Sequence, residues 1–203
     1  MRESDRRVRY TKMVLRESLL SILQEKPVSR ISVTEVCQAA GLNRGTFYAH
    51  YADPYELLTR IENDLYQDLE DALAKDVACW DIDTLLSDIM VVLDRNRDVC
   101  RVILGDNGSS QFLSRVLDMA REFFMRTWTC KKGAPEGTAD YIYRYLSAGS
   151  VDVIRFWLLN EDKRPLGDMA HTISSICKSI ITAYLEPAQK NRNAREENEG
   201  SEN

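Results

Sequence analysis

The chain has 203 residues, is 44% hydrophobic and 29% charged, and contains only 9 Gly and 5 Pro, so it can bury a core and should build long helices rather than many turns. No apolar run is long enough to span a bilayer, and the charged start MRESDRRVRY lacks the apolar stretch of a signal peptide; a cytoplasmic protein with no membrane contact is expected. The net charge of −5 argues against a nucleic-acid partner, but residues 1–52 carry nine Lys/Arg against five Asp/Glu, whereas the other 151 carry 18 against 27. A basic head on an acidic body suits a protein that presents one end to phosphates.

In chain order, residues 1–7 read as a polar, Arg-containing arm, and Leu15, Leu19, Ile22 and Leu23 place an amphipathic helix over 8–24 that ends at Pro27. Ser32 and Glu35 have capping-box spacing for a second helix, whose apolar stripe is Val33, Val36, Cys37 and Ala40. Gly41 stands where a helix end favours a left-handed residue, and Asn43 is a good N-cap for a third helix beginning at Arg44. Asp53-Pro54 then open a long fourth helix with Leu58, Ile61, Leu65, Leu69, Leu73 and Val77 as its stripe. Helical patterns follow near 83–95, 98–104, 109–130, 138–160 and 166–185, giving an all-α chain of about nine helices. Residues 187–203 are almost free of apolar side chains and read as a disordered tail.

The unit 32–51 is thus two short helices around a Gly41-Leu42-Asn43 corner, the arrangement of a helix-turn-helix, in which the second helix enters the major groove of DNA. Its third-helix residues sort by face. Phe47 and Tyr51, with Leu42, should pack on Val36 and the first helix, leaving Arg44 with Tyr48 and Thr46 with His50 turned outward. Gly45 and Ala49 are small enough for close approach to a duplex.

The stretch ISVTEVCQAAGLNRGTFYAHYADPYELL resembles the signature of the TetR/AcrR family of transcriptional regulators, and the likeness covers residues 8–69. The resemblance implies an N-terminal three-helix helix-turn-helix DNA-binding domain (8–69), followed by a helical-bundle domain for dimerisation and effector binding (70–186). It also implies a homodimer on a near-palindromic operator in double-stranded DNA, with repression as the family's commoner mode and activation as the alternative. By the same resemblance Thr46 and Tyr48 contact phosphates, Arg44, Gly45 and Ala49 face base edges, His50 touches the backbone, and Thr34 lies beside a neighbouring phosphate. Arg44 is the best candidate for readout, because a guanidinium can grip guanine O6 and N7 together. The family usually has a Lys as a phosphate contact where this chain has Pro54, so Arg6, Arg7, Arg9 and Lys12 of the arm are candidates to compensate, or are simply a solvated face.

In the C-terminal part the resemblance places the dimer interface on 138–160 and 166–185, where Met169, Ile173, Ile176, Ile180 and Tyr184 form a stripe. Family relatives often hold a small molecule in this bundle. Phe123, Phe124, Trp128, Tyr141 and Tyr145 are the candidate effector pocket, although aromatics at helical spacing more often form core; a protein effector is the other option.

No Gly-rich phosphate loop, zinc-protease or nucleophile-elbow motif occurs, and the only histidines are His50 and His171, so no enzyme is expected. Five scattered cysteines without a C-x-x-C pair point to reduced thiols rather than disulfides or a zinc site, and no metal or cofactor is expected. A helical protein-interaction module without DNA binding is the remaining rival.

Overall fold

The computed structural model describes the backbone of residues 3–75, 81–105, 110–129, 137–160 and 164–199. These residues hold nine α-helices and no β-strand, as the periodicity predicts. The chain divides into two compact units, Met1–Leu69 with Arg95–Ser114, and Glu70–Asp94 with Arg115–Asn203.

In the first unit, α1 (Glu3–Leu23) starts earlier than the pattern suggests. The arm is helical from Glu3, the acid Asp5 suits the positive helix N-terminus, and Arg6, Arg7, Arg9 and Lys12 are exposed on its first turns. Leu15, Leu19, Leu20 and Leu23 are buried. A single 3-10 turn, Val28–Arg30, carries the chain past Pro27 into α2 (Val33–Ala40), which packs on α1. Then come α3 (Arg44–Tyr48) and α4 (Pro54–Lys75). The buried stripe of α4 is Leu57, Ile61, Leu65, Leu69, Ala72 and Leu73; Leu58 is half-buried, and Val77 lies outside the described residues.

The amphipathic α6 (Arg97–Leu104) also belongs to this unit. It packs on α1, buries Val99, Cys100, Val102, Ile103 and Leu104, and is tied by Arg16–Asp98 at 3.4 Å and by Asn96 donating to Asp68 at 3.2 Å. The fully buried stretch of α6 explains its place better than its position in the sequence does.

The second unit holds most of α5 (Ile82–Arg95) and α7 (Ser110–Thr129), together with α8 (Thr138–Leu159) and α9 (Leu166–Glu199). Its inner faces supply Leu85, Met90, Phe124, Ile142, Leu146, Trp157, Met169 and Ile173, and the Trp157 indole N–H donates to the Arg164 carbonyl at 3.2 Å. Lys178 of α9 reaches both Asp81 and Asp83 at the start of α5; hydrogen bonding from Thr84 and Lys178 respectively holds these carboxyls below their ordinary range. Asp81 also caps α5, accepting from the Thr84 N–H at 3.3 Å and its hydroxyl at 2.8 Å.

The backbone of 187–199, expected to be a disordered tail, instead continues α9 to Glu199; residues 200–203 lie outside the described residues. Of the α9 stripe, Met169 and Ile173 are buried, with Cys177 and Ile181 beside them, Ile180 is half-buried, and Ile176 and Tyr184 are exposed. Cys37, Cys100 and Cys177 are buried free thiols, and burial pushes Cys100 up to about 12. Cys79 and Cys130 lie outside the described residues.

Candidate nucleic-acid interface

The corner that aims α3 is fixed by local chemistry on both sides. At the start of α2 the Glu35 N–H donates to Ser32 Oγ at 3.3 Å, and the Ser32 N–H donates back to Glu35 Oε2 at 2.9 Å, a complete capping box. Glu35 also pairs with Lys26 on the loop from α1; this bond, with those from Ser32, holds its carboxyl down at about 2. At the other end Gly41 adopts φ 63°. The Leu42 N–H then returns to the Cys37 carbonyl at 2.9 Å and the Gly41 N–H to that of Gln38 at 3.2 Å, the Schellman pattern.

Asn43 caps α3 by accepting the Thr46 N–H at 2.8 Å, and the same Oδ1 accepts the Thr46 hydroxyl at 3.0 Å. A Cβ at Gly45 would stand 3.3 Å from that oxygen, so the glycine protects the cap as well as slimming the helix. α3 itself is five residues long and ends in a turn in which the His50 and Tyr51 N–H groups both donate to the Phe47 carbonyl. Asp53 accepts the Glu56 N–H at 2.8 Å and starts α4, where Pro54 is buried.

The side chains divide as the sequence predicts. Phe47 is fully buried, Tyr51 nearly so, their rings lie 5.9 Å apart, and Val36 is buried. Tyr48, its ring edge-on to Phe47, is 53% exposed. Arg44, Gly45, Ala49 and Thr34 are exposed, and Thr46 and His50 are half-buried. The seven residues named from the sequence therefore sit on or at the edge of the surface around a short helix with one apolar anchor. Sequence reasoning missed the Lys26–Glu35 tie, which joins two elements, and the Thr46 hydroxyl's engagement with Asn43.

Of the five aromatics suggested as an effector pocket, the four with described side chains are divided between core and surface. Phe124 is core, with its ring 5.6 Å from Tyr143, and Phe123 is half-buried. Tyr141 and Tyr145 stand on the outward face of α8, 77% and 70% exposed, and the Trp128 side chain lies outside the described residues. Tyr145 instead borders an apolar groove of about 300 Å³ between α8 and α9, with Gly149, Val153, Ile173 and Cys177 among its walls.

Residues 81–179 match the family model described as "Transcriptional regulator C-terminal region", of the TetR group. The match begins beyond the N-terminal signature, so the two likenesses rest on different residues. Over residues 81–179, then, the chain is similar to the C-terminal region of TetR-type transcriptional regulators. Solved structures carry the same fold. A TetR transcriptional regulator from Streptococcus agalactiae 2603V is 22% identical, over 86% of this chain and 97% of that one, with a TM-score of 0.59. A TetR/AcrR-type regulator from Aquifex aeolicus VF5 is 21% identical, over 84% and 99%, with a TM-score of 0.65. SmeT, the repressor of the Stenotrophomonas maltophilia multidrug efflux pump SmeDEF, is 16% identical, over 83% and 89%, at 0.57, and has also been solved as a triclosan complex. At these identities the likeness concerns fold. The family's matched members are regulators and not enzymes, and no helix among the described residues is long and apolar enough to cross a membrane.

Proposed function

We propose that this chain is a sequence-specific DNA-binding repressor that grips a near-palindromic operator as a homodimer and is released by an effector. The observation that carries the reading is α3: Phe47 anchors it inward while Arg44 and Tyr48 face solvent. Residues 8–69 form the DNA-binding part, and 70–186 the part that dimerises and receives the effector. Arg44 reads base edges, with Gly45 and Ala49 allowing close approach; Thr34, Thr46, Tyr48 and His50 fix the register on the backbone. The Thr46 hydroxyl turns away from Asn43 Oδ1 to donate to a phosphate, at the cost of one exposed hydrogen bond.

A helix of five residues spans only ~8 Å, too few bases for useful specificity, so two copies with heads about one DNA turn apart are required. SmeT's triclosan complex supports a small molecule as effector; α8 and α9 supply the one apolar groove described above, while Phe123 and Phe124 remain candidates on the inner side of α7.

Salt-dependent gel shifts on the DNA upstream of the chain's own gene test the reading. Affinity should fall steeply as salt rises, and Arg44→Ala should lose ~1–3 kcal/mol of specific binding while random DNA is held as before. Equal loss on both DNAs would reduce Arg44 to a phosphate contact, and no footprint at any salt would remove the regulator reading of α3.

A further inference from the structure

From Lys26 to Ala52, the stretch that contains the whole helix-turn-helix, Glu35 is the only acidic residue. It stands in the first turn of α2, next to Thr34, and its side chain keeps 39% of its surface open to solvent. A carboxylate in that place has two opposed effects. It closes the capping box of α2, and it sets a charge of the phosphates' own sign beside a residue that meets the DNA backbone. Charges this open to solvent act on one another within about 10 Å at 0.1 M salt.

The same stretch has three Lys/Arg residues, Lys26, Arg30 and Arg44. Arg30 and Arg44 are exposed and make no ion pair among the described residues. Lys26 is turned onto the protein instead. Its N–H donates to the Ile22 carbonyl at 3.2 Å, Pro27 follows it, and its ammonium donates to Glu35 Oε1. Glu35 Oε2 is taken by the Ser32 N–H and the Ser32 hydroxyl, both at 2.9 Å. Both oxygens of the carboxylate are therefore engaged, and one full positive charge is committed to it. An ion pair so open to solvent adds little to folding, and the capping box is made by Ser32 and Glu35 alone. What the lysine changes most is the charge that the head presents.

We infer that Lys26 is a positioning residue for DNA binding that acts through Glu35: it cancels the carboxylate charge, so that α2 keeps its cap beside the phosphates without repelling them. The inference rests on the DNA-binding reading of α2 and α3 and names a residue outside the reading helix on which affinity depends. Lys26 itself touches no phosphate.

Titrations of the full chain with a duplex from the region upstream of its own gene, and with random-sequence DNA, test it across a salt series, with circular dichroism as a check on folding. Lys26→Met should raise Kd about 10-fold on both DNAs at about 0.1 M salt, and the deficit should shrink as salt rises. Lys26→Arg, which still pairs, should stay within about 2-fold of wild type. Glu35→Gln preserves the capping box and should bind about 3-fold more tightly. The double variant Lys26→Met/Glu35→Gln should return to within about 3-fold of wild type, as a coupled pair requires. Glu35→Gln weakened as much as Lys26→Met would mean that the tie acts by holding α2 in place, and would overturn the inference. A double variant as weak as Lys26→Met, with a salt slope lower by about 0.9 for each lysine, would make Lys26 a phosphate contact and overturn it too. Wild-type affinity in Lys26→Met overturns it outright, as does an equal loss in Arg121→Met, which breaks the Arg121–Asp140 pair of the second unit. A wild-type chain that leaves no footprint at any salt defeats the DNA-binding reading itself, a result that no variant imitates.

Discussion

The helix-turn-helix and the α8–α9 pair place their large apolar side chains in opposite ways. Between residues 32 and 51 Tyr48 is the sole large hydrophobic or aromatic side chain left exposed; on α8 and α9 Tyr141, Tyr145, Phe156, Leu159, Ile176 and Tyr184 all face out. The first segment is internally complete, its turns closed by caps and its anchor buried, and it offers polar groups to a polar partner. The second is complete only on one side. A surface held rigid by its own hydrogen bonds can read a polyanion, whereas a surface with leftover apolar area calls for another protein.

Removing the anchor should break this contrast most severely. Phe47→Ala leaves a hole beneath α3 and should cost ~3–5 kcal/mol in denaturant unfolding, with DNA binding lost alongside. A loss below 1 kcal/mol would mean that α3 is held by something other than Phe47. The glycines sharpen the comparison with opposite signs. Gly41→Ala meets no atom but keeps a left-handed φ, so it should destabilise by ~1–2 kcal/mol. Gly149→Ala, equally unobstructed but inside a helix, should stabilise the protomer by ~0.5–1 kcal/mol in the same assay. Matching signs for the two would refute the backbone explanation.

The smallest effect is a pH dependence. Glu35 has a folded pKa near 2 against an ordinary 4.5, so the stability it contributes is present above about 4.5 and drains away as pH falls from there toward 2. In Glu35→Gln that acid-side loss should shrink, while wild type and variant converge at the lowest pH. Because the carboxylate is exposed, solvent and salt weaken the effect, and 0.5 M NaCl should flatten it further.

Legibility in the sequence follows the range of the interactions. Ser32, Glu35, Gly41, Asn43 and Asp53 act on groups three to five residues away, and each has the role its spacing predicts. Phe47 and Tyr51 were separable from Arg44 and Tyr48 because a helix with one neighbour has a clear inside. Long-range facts were not readable in this way. Which half of the α9 stripe turns inward depends on where α8 lies, and the aromatics of α7 and α8 share a hydropathy that does not say which of them meet. Lys26–Glu35 and Lys178–Asp83 join residues 9 and 95 positions apart, with no local pattern to announce them.

The membership of α6 in the first unit has a consequence for modularity. The polypeptide leaves that unit after Leu69, returns at Arg95 and leaves again after Ser114. A head excised at Leu69 would lack the helix that carries Val99, Cys100, Val102, Ile103 and Leu104, and α1 would lose the cover that α6 provides. Grafting this reading head onto another receptor is therefore a two-piece transplant: the donor must contribute both segments, and any recombination that swaps only the N-terminal third inherits a foreign α6 against its own α1.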